Sequence, residues 1–114
     1  MPIEFEDLTN QLRIISITGR LDIIGTGEIE TRFAALACAD NRRVLVDLTG
    51  VSFLASIGIR ALISNAKALQ QRGGRLVLFV GTNESVITTL ETTGIDSLVP
   101  MFRDKAEASE AALA

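Results

Sequence analysis

The sequence has no histidine, no tryptophan and no tyrosine, and only one cysteine and two prolines in 114 residues. Without histidine, no serine or cysteine nucleophile can be paired with an imidazole base, and imidazole metal sites are excluded. A lone cysteine, Cys38, makes neither an intramolecular disulfide nor a zinc cage, which fits a reducing compartment. The aromatic content is five phenylalanines, too few for a protein that stacks bases or sugars on rings. No basic stripe marks a nucleic-acid surface; the nearest candidate, Arg42-Arg43, is too short. No apolar run approaches the ~18 residues of a membrane span. The start, Met1-Pro2-Ile3-Glu4-Phe5-Glu6, lacks the basic-then-apolar pattern of a secretory signal. These absences lead us to expect a cytoplasmic protein with no membrane insertion, nucleic-acid partner, metal, cofactor or catalytic residue. An enzyme built on carboxylates, Asp22 or Asp47, is the residual alternative.

What is present is an ordinary globular composition, 47% hydrophobic and 22% charged with a net charge of −3. That is enough for one domain over residues 1–114. Residues 3–6 and 12–18 read as strands around a polar turn, an opening hairpin. Gly19 to Gly27 reads as a loop. Glu28 and Glu30 then start a helix whose Ile29, Phe33, Leu36 and Ala37 share one face, with Asp40-Asn41 at its end. Val44-Leu45-Val46 and Leu76 to Val80 are short apolar runs, the pattern of parallel strands buried on both faces. Val51 to Ala55 reads as a connection. Ile59, Leu62, Ile63, Ala66 and Leu69 mark a second helix, stopped at Gly73-Gly74. Asn83 caps a third helix with Val86, Ile87 and Leu90 inward. Ser97 to Phe102 reads as a last strand that Pro100 confines to an edge or stops early. Asp104 and Glu107 open an alanine-rich terminal helix whose residues 105–114 are expected to fray. The order β-β-α-β-α-β-α-β-α is that of an α/β domain with a mostly parallel sheet.

Open α/β sheets carry their chemistry beyond the carboxyl ends of the strands. Gly19-Arg20-Leu21-Asp22, Asp47-Leu48-Thr49-Gly50 and Phe53-Leu54-Ala55-Ser56-Ile57-Gly58 are expected to converge there. Ser56, just ahead of a helix, has two readings: an N-cap hydroxyl, or a phosphoacceptor whose added charge the helix N-terminus tolerates. Asp47 reads as turn polarity. A phospho-aspartate receiver reading fails, for want of an acidic pair after the first strand and of a lysine near the last. Gly25-Thr26-Gly27 lacks the rest of any phosphate-loop motif and reads as a loop needing backbone freedom. Cys38 reads as a buried, inert thiol.

These segments resemble a known family. Gly19-Arg20-Leu21-Asp22, Val44 to Leu54 with its Asp47-Leu48-Thr49-Gly50 turn, and Ala55-Ser56-Ile57-Gly58-Ile59-Arg60-Ala61-Leu62 look like a STAS domain of the bacterial anti-sigma-factor antagonist branch. Gly73-Gly74-Arg75-Leu76-Val77-Leu78 and Thr93-Gly94-Ile95 also fit. The resemblance implies a mixed sheet of four or five strands flanked by about four helices. It implies partner switching: binding an anti-sigma factor that is also a serine kinase, release on phosphorylation of Ser56, and resetting by a phosphatase. The partner surface would then comprise Asp22, Thr49, Ala55, Ser56, Ile57, Gly58, Ile59 and Arg60. Gly58 would allow close approach, Ile57 or Ile59 would offer an apolar contact, and Arg60 would meet an acidic group. The family pattern commonly reads Asp, two hydroxyl residues, Gly; here Ala55 replaces the acid and Ile57 the second hydroxyl. That departure favours an alternative, a constitutive STAS scaffold subunit of a lipid-transport ATPase complex.

Overall fold

The computed structural model describes residues 2–38 and 42–114; the helix end expected at Asp40-Asn41 lies outside them. One five-stranded sheet runs in the order β1 (Ile3–Asp7), β2 (Leu12–Leu21), β3 (Arg43–Leu54), β4 (Arg75–Phe79), β5 (Met101–Phe102). β1 and β2 form the expected antiparallel hairpin, and the other pairings are parallel. Helices α1 (Ile23–Ala37), α2 (Ser56–Gln71), α3 (Glu84–Thr93) and α4 (Lys105–Leu113) connect or follow the strands.

The apolar runs are explained by cover on both faces of the sheet. Ile15, Ile17, Val44, Val46, Leu76 and Leu78 join the stripes of α1, α2 and α3 in the main core. Their neighbours in the strands, Ile14, Leu45 and Val77, face α4 and its fully buried Ala108 and Ala112. Successive strand side chains point to opposite faces, so a strand covered on both reads as a continuous run. The segment expected to fray thus forms a packed helix, and Arg75 Nη1 donates to Ala111 O (3.0 Å) in its last turn. Among the described residues no helix is long and apolar enough to cross a membrane.

Three boundaries differ from expectation. β2 continues through Gly19, Arg20 and Leu21, and α1 starts at Ile23, so Gly25-Thr26-Gly27 is helical and not a loop. Glu28 and Glu30 consequently fall outside the first turn of α1. β3 runs on through Val51–Leu54, where a connection was expected. It leaves β4 at Asp47↔Phe79 but stays paired with β2 as far as Leu21↔Leu54. Beyond β4 its carbonyls are taken up by Asn83, whose Nδ2 donates to Leu48 O (3.0 Å) and Val51 O (2.7 Å). Cys38, expected to be buried, is exposed at the end of α1, one residue past the inner stripe.

The helix stops follow local rules. After α2, Gly73 adopts φ +79, and Gly74 N–H and Gly73 N–H donate to Leu69 O and Gln70 O. This is the paired bonding of a glycine-ended helix. α3 ends at Gly94, φ +76. The last strand shrinks to two residues because Ile95–Ser97 form a 3-10 turn ahead of Pro100.

At the opposite edge, Asp7 accepts two bonds from Arg13 (2.7 and 3.0 Å) and one from Arg42 (3.4 Å), while Arg13 Nη1 donates to Leu36 O. The Asp7 carboxyl is held below its ordinary value chiefly by the hydrogen bond from Arg13. Partial desolvation opposes this, and the charges of Arg13 and Arg42 add to it. A depressed folded pKa stabilises above the unfolded value near 3.8 and loses that effect as pH falls through the folded one. Urea melts of Asp7→Asn and the parent protein should therefore differ at pH 7 and converge toward pH 2. An equal difference at both would contradict this.

Candidate functional site

The register brings two strand ends together. Arg20 pairs with Phe53 and Leu21 with Leu54, and Ala55 N–H donates to Leu21 O (3.0 Å). Asp22 and Ala55-Ser56 therefore leave adjacent parallel strands side by side. Asp22 caps α1: its Oδ1 accepts from Gly25 N–H (2.8 Å) and its Oδ2 from Arg20 Nε (3.3 Å). The Gly25 N–H is the main cause of its lowered pKa, with Arg20 contributing less. Arg20 also lies over the Phe53 ring, 4.5 Å from its centroid.

Ser56 is the first residue of α2, and the cap position belongs to Ala55. The cap-hydroxyl reading of Ser56 is thereby corrected. Its side chain is exposed and has no hydrogen-bond partner among the described residues. The other three α-helices are each capped by a side chain, Asp22, Asn83 and Asp104. Ala55 cannot do this, and α2 has no acidic residue in its first turn. An N-cap side chain is worth about 1 kcal/mol. Ala55→Asp, at a backbone already extended (φ −89, ψ 170), should raise the melting temperature by about 4 °C in calorimetry. A melting temperature at or below that of the parent would contradict the uncapped geometry.

Other residues expected on the partner surface divide. Ile57 is half-buried and Arg60 exposed, both open to a partner. Gly58 and Ile59 are buried and are withdrawn from that surface. A Cβ on Gly58 would lie 2.9 Å from Leu21 Cβ and Leu54 Cδ1, so this glycine lets α2 approach the strand ends and does not serve an outside partner. Thr49 is also removed from this corner. It lies five residues back along β3 from Leu54, roughly 16 Å at strand spacing. Its N–H and hydroxyl both donate to Asp47 Oδ1 (2.9 and 2.7 Å), the turn-like polarity expected of Asp47. Thr49 lines instead a separate cleft with Ser52, Gly81, Thr82 and Asn83.

Sequence reasoning missed the apolar part of the corner. Ile23 and Ile24 are 76% and 74% exposed in the first turn of α1, and Phe53 is 40% exposed at the end of β3. The signal was available: with α1 begun at Ile23, neither isoleucine falls on the stripe of Ile29, Phe33 and Leu36.

Fold and site together define a small α/β domain in which an exposed serine opens α2 beside the end of β2. The chain belongs to the STAS domain family, whose model matches residues 5–108. BtrV of Bordetella bronchiseptica, named for an anti-sigma factor antagonist role, is 28% identical over 105 residues, covering 92% of this chain and 90% of its own. An anti-sigma factor antagonist from Mycobacterium paratuberculosis superposes with a TM-score of 0.83 at 20% identity, covering 98% and 93% of the two chains. The antagonist SpoIIAA has been solved in two states. Its unphosphorylated form gives a TM-score of 0.74 at 17% identity, covering 96% and 94% of the two chains. Its phosphorylated form, from Bacillus, gives 0.67 at 16%, covering 96% and 97%.

Proposed function

We propose that this chain is a non-enzymatic anti-sigma factor antagonist of the cytoplasm, a single STAS domain whose binding is switched at Ser56. Unphosphorylated, it docks on an anti-sigma factor that is also a serine kinase. The contact surface is Asp22, Ile23, Ile24, Phe53, Ala55, Ser56, Ile57 and Arg60. The kinase transfers the terminal phosphoryl group of a nucleoside triphosphate to Ser56 Oγ, which gives up its proton. A phosphatase hydrolyses the ester and restores the binding form.

One observation carries this reading: an exposed, unbonded serine hydroxyl at a helix start that no side chain caps, with exposed apolar side chains at the neighbouring strand end and helix start. The relatives named as antagonists support it, as does a STAS structure solved with and without phosphate. Physically, a phosphate adds about −1.5 to −2 charges. Pressed into an apolar contact it would lose hydration without compensation, so the complex dissociates with no change of fold.

Intact mass and peptide mapping of the protein purified from its own cells, beside Ser56→Ala, test the reading. It predicts a single phosphate on Ser56, absent from the variant. A protein that stays unmodified under growth and stress, while co-purifying with a membrane ATPase, would replace the switch with the constitutive scaffold role.

A further inference from the structure

We infer that Arg60 is the intramolecular counter-ion of a phosphate on Ser56, so that one guanidinium serves the partner in one state and the phosphate in the other. This rests on the proposed switch and gives Arg60 a second role in it. Ser56 and Arg60 stand at i and i+4 on α2, the spacing at which helical side chains are neighbours on one face. Both are exposed, and Arg60 makes no hydrogen bond or ion pair among the described residues.

Competing charges at the corner are few. Arg20 and Asp22, across on β2 and at the start of α1, are already paired with each other and anchored, Arg20 on Phe53 and Asp22 on Gly25 N–H. Neither α1 nor α2 carries an acidic residue in its first turn. Among the described residues, a phosphate on Ser56 therefore has an unengaged cation, Arg60, a single helical turn away and no carboxylate on its own turn to repel it. A guanidinium presents paired N–H donors that match phosphate oxygens.

The consequence is a two-position side chain. In the unphosphorylated protein Arg60 is free for an acidic group of the partner. In the phosphorylated protein it folds back along the helix, and the partner loses that contact while meeting a new anion.

Phosphoserine inserted at position 56 during translation makes the test independent of any kinase. The phosphorus NMR shift of this protein is titrated from pH 4 to 8, beside the same protein carrying Arg60→Ala or Arg60→Lys. A phosphoserine ordinarily loses its second proton near pH 6. Arg60→Ala should raise the midpoint by about 0.3 of a pH unit, the effect of one i, i+4 ion pair. Arg60→Lys, which keeps the charge, should restore most of the difference. Superposed curves for the parent and Arg60→Ala would overturn the assignment while leaving the switch at Ser56 standing. Absence of phosphate in native cells would remove the switch without altering these curves.

Discussion

Gly25→Ala is expected to lower the melting temperature by about 8–16 °C, whereas Gly27→Ala, two residues on in the same helix, should raise it slightly. Gly25 lies in the first turn of α1, where a Cβ would be driven into the backbone carbonyl of Arg20 and would also crowd Asp22 Oδ1 at 3.3 Å. A carbonyl in the β2 ladder cannot rotate away. The first turn of α1 must lift off the strand, losing the 2.8 Å bond from Gly25 N–H to Asp22. Overpacking of this kind costs about 1–3 kcal/mol and a lost cap about 1 kcal/mol more. At roughly 4 °C per kcal/mol for a domain of this size, the sum is about 8–16 °C. Gly27 has open space around its Cβ position, so alanine there gains helix propensity of up to about 1 kcal/mol. Scanning calorimetry of both variants reads the contrast. Equal shifts of the same sign would show that α1 does not approach β2 as described.

Ser56→Asp is expected to weaken binding to the anti-sigma factor by about 100-fold or more and to leave folding stability unchanged or slightly raised. The side chain is exposed and unbonded, so replacing it removes no internal contact. A negative charge in the first turn of a helix is favourable by a few tenths of a kcal/mol. At the interface the same charge would be desolvated among Ile23, Ile24 and Phe53. A penalty of about 3 kcal/mol corresponds to two orders of magnitude in affinity. Titration calorimetry with the purified anti-sigma factor, beside Ser56→Ala, separates charge from loss of the hydroxyl. Unimpaired binding by Ser56→Asp would place the interface elsewhere.

The succession of strands and helices was legible because burial leaves a periodic trace. Val44-Leu45-Val46 and Leu76 to Phe79 are apolar throughout, since α4 covers the face that the other helices leave bare. Boundaries were lost where glycine has a purpose other than backbone freedom. Gly25 sits inside α1 at ordinary helical geometry, selected by the closeness of the Arg20 carbonyl, which no local pattern reveals. The upper half of β3 was read as a connection because it has left β4. There it pairs only with β2, through register shifts near Thr18 and Gly19, and exposes Ser52 and Phe53.

The same error displaced part of the candidate site. Ser56 and Asp22 were recognisable from the resemblance, and the register brings their strand ends together. Thr49 was grouped with them because a loop was expected where the structure has five further residues of strand. Gly58 and Ile59 were placed on the partner surface by the resemblance, although Ile59 also falls on the apolar stripe of α2. In three dimensions that turn lies on Leu21 and Leu54. Ile23 and Ile24 escaped notice because the helix carrying them had been started too late.

The most direct measurement follows the complex itself. The unphosphorylated protein is mixed with the anti-sigma factor kinase proposed as its partner, a nucleoside triphosphate is added, and native mass spectrometry records complex and free chains over time. The account predicts that the complex dissociates as the chain gains one phosphate, located at Ser56, and that the Ser56→Ala complex persists under the same conditions. A complex that survives phosphorylation of Ser56, or that dissociates equally with Ser56→Ala, would contradict it.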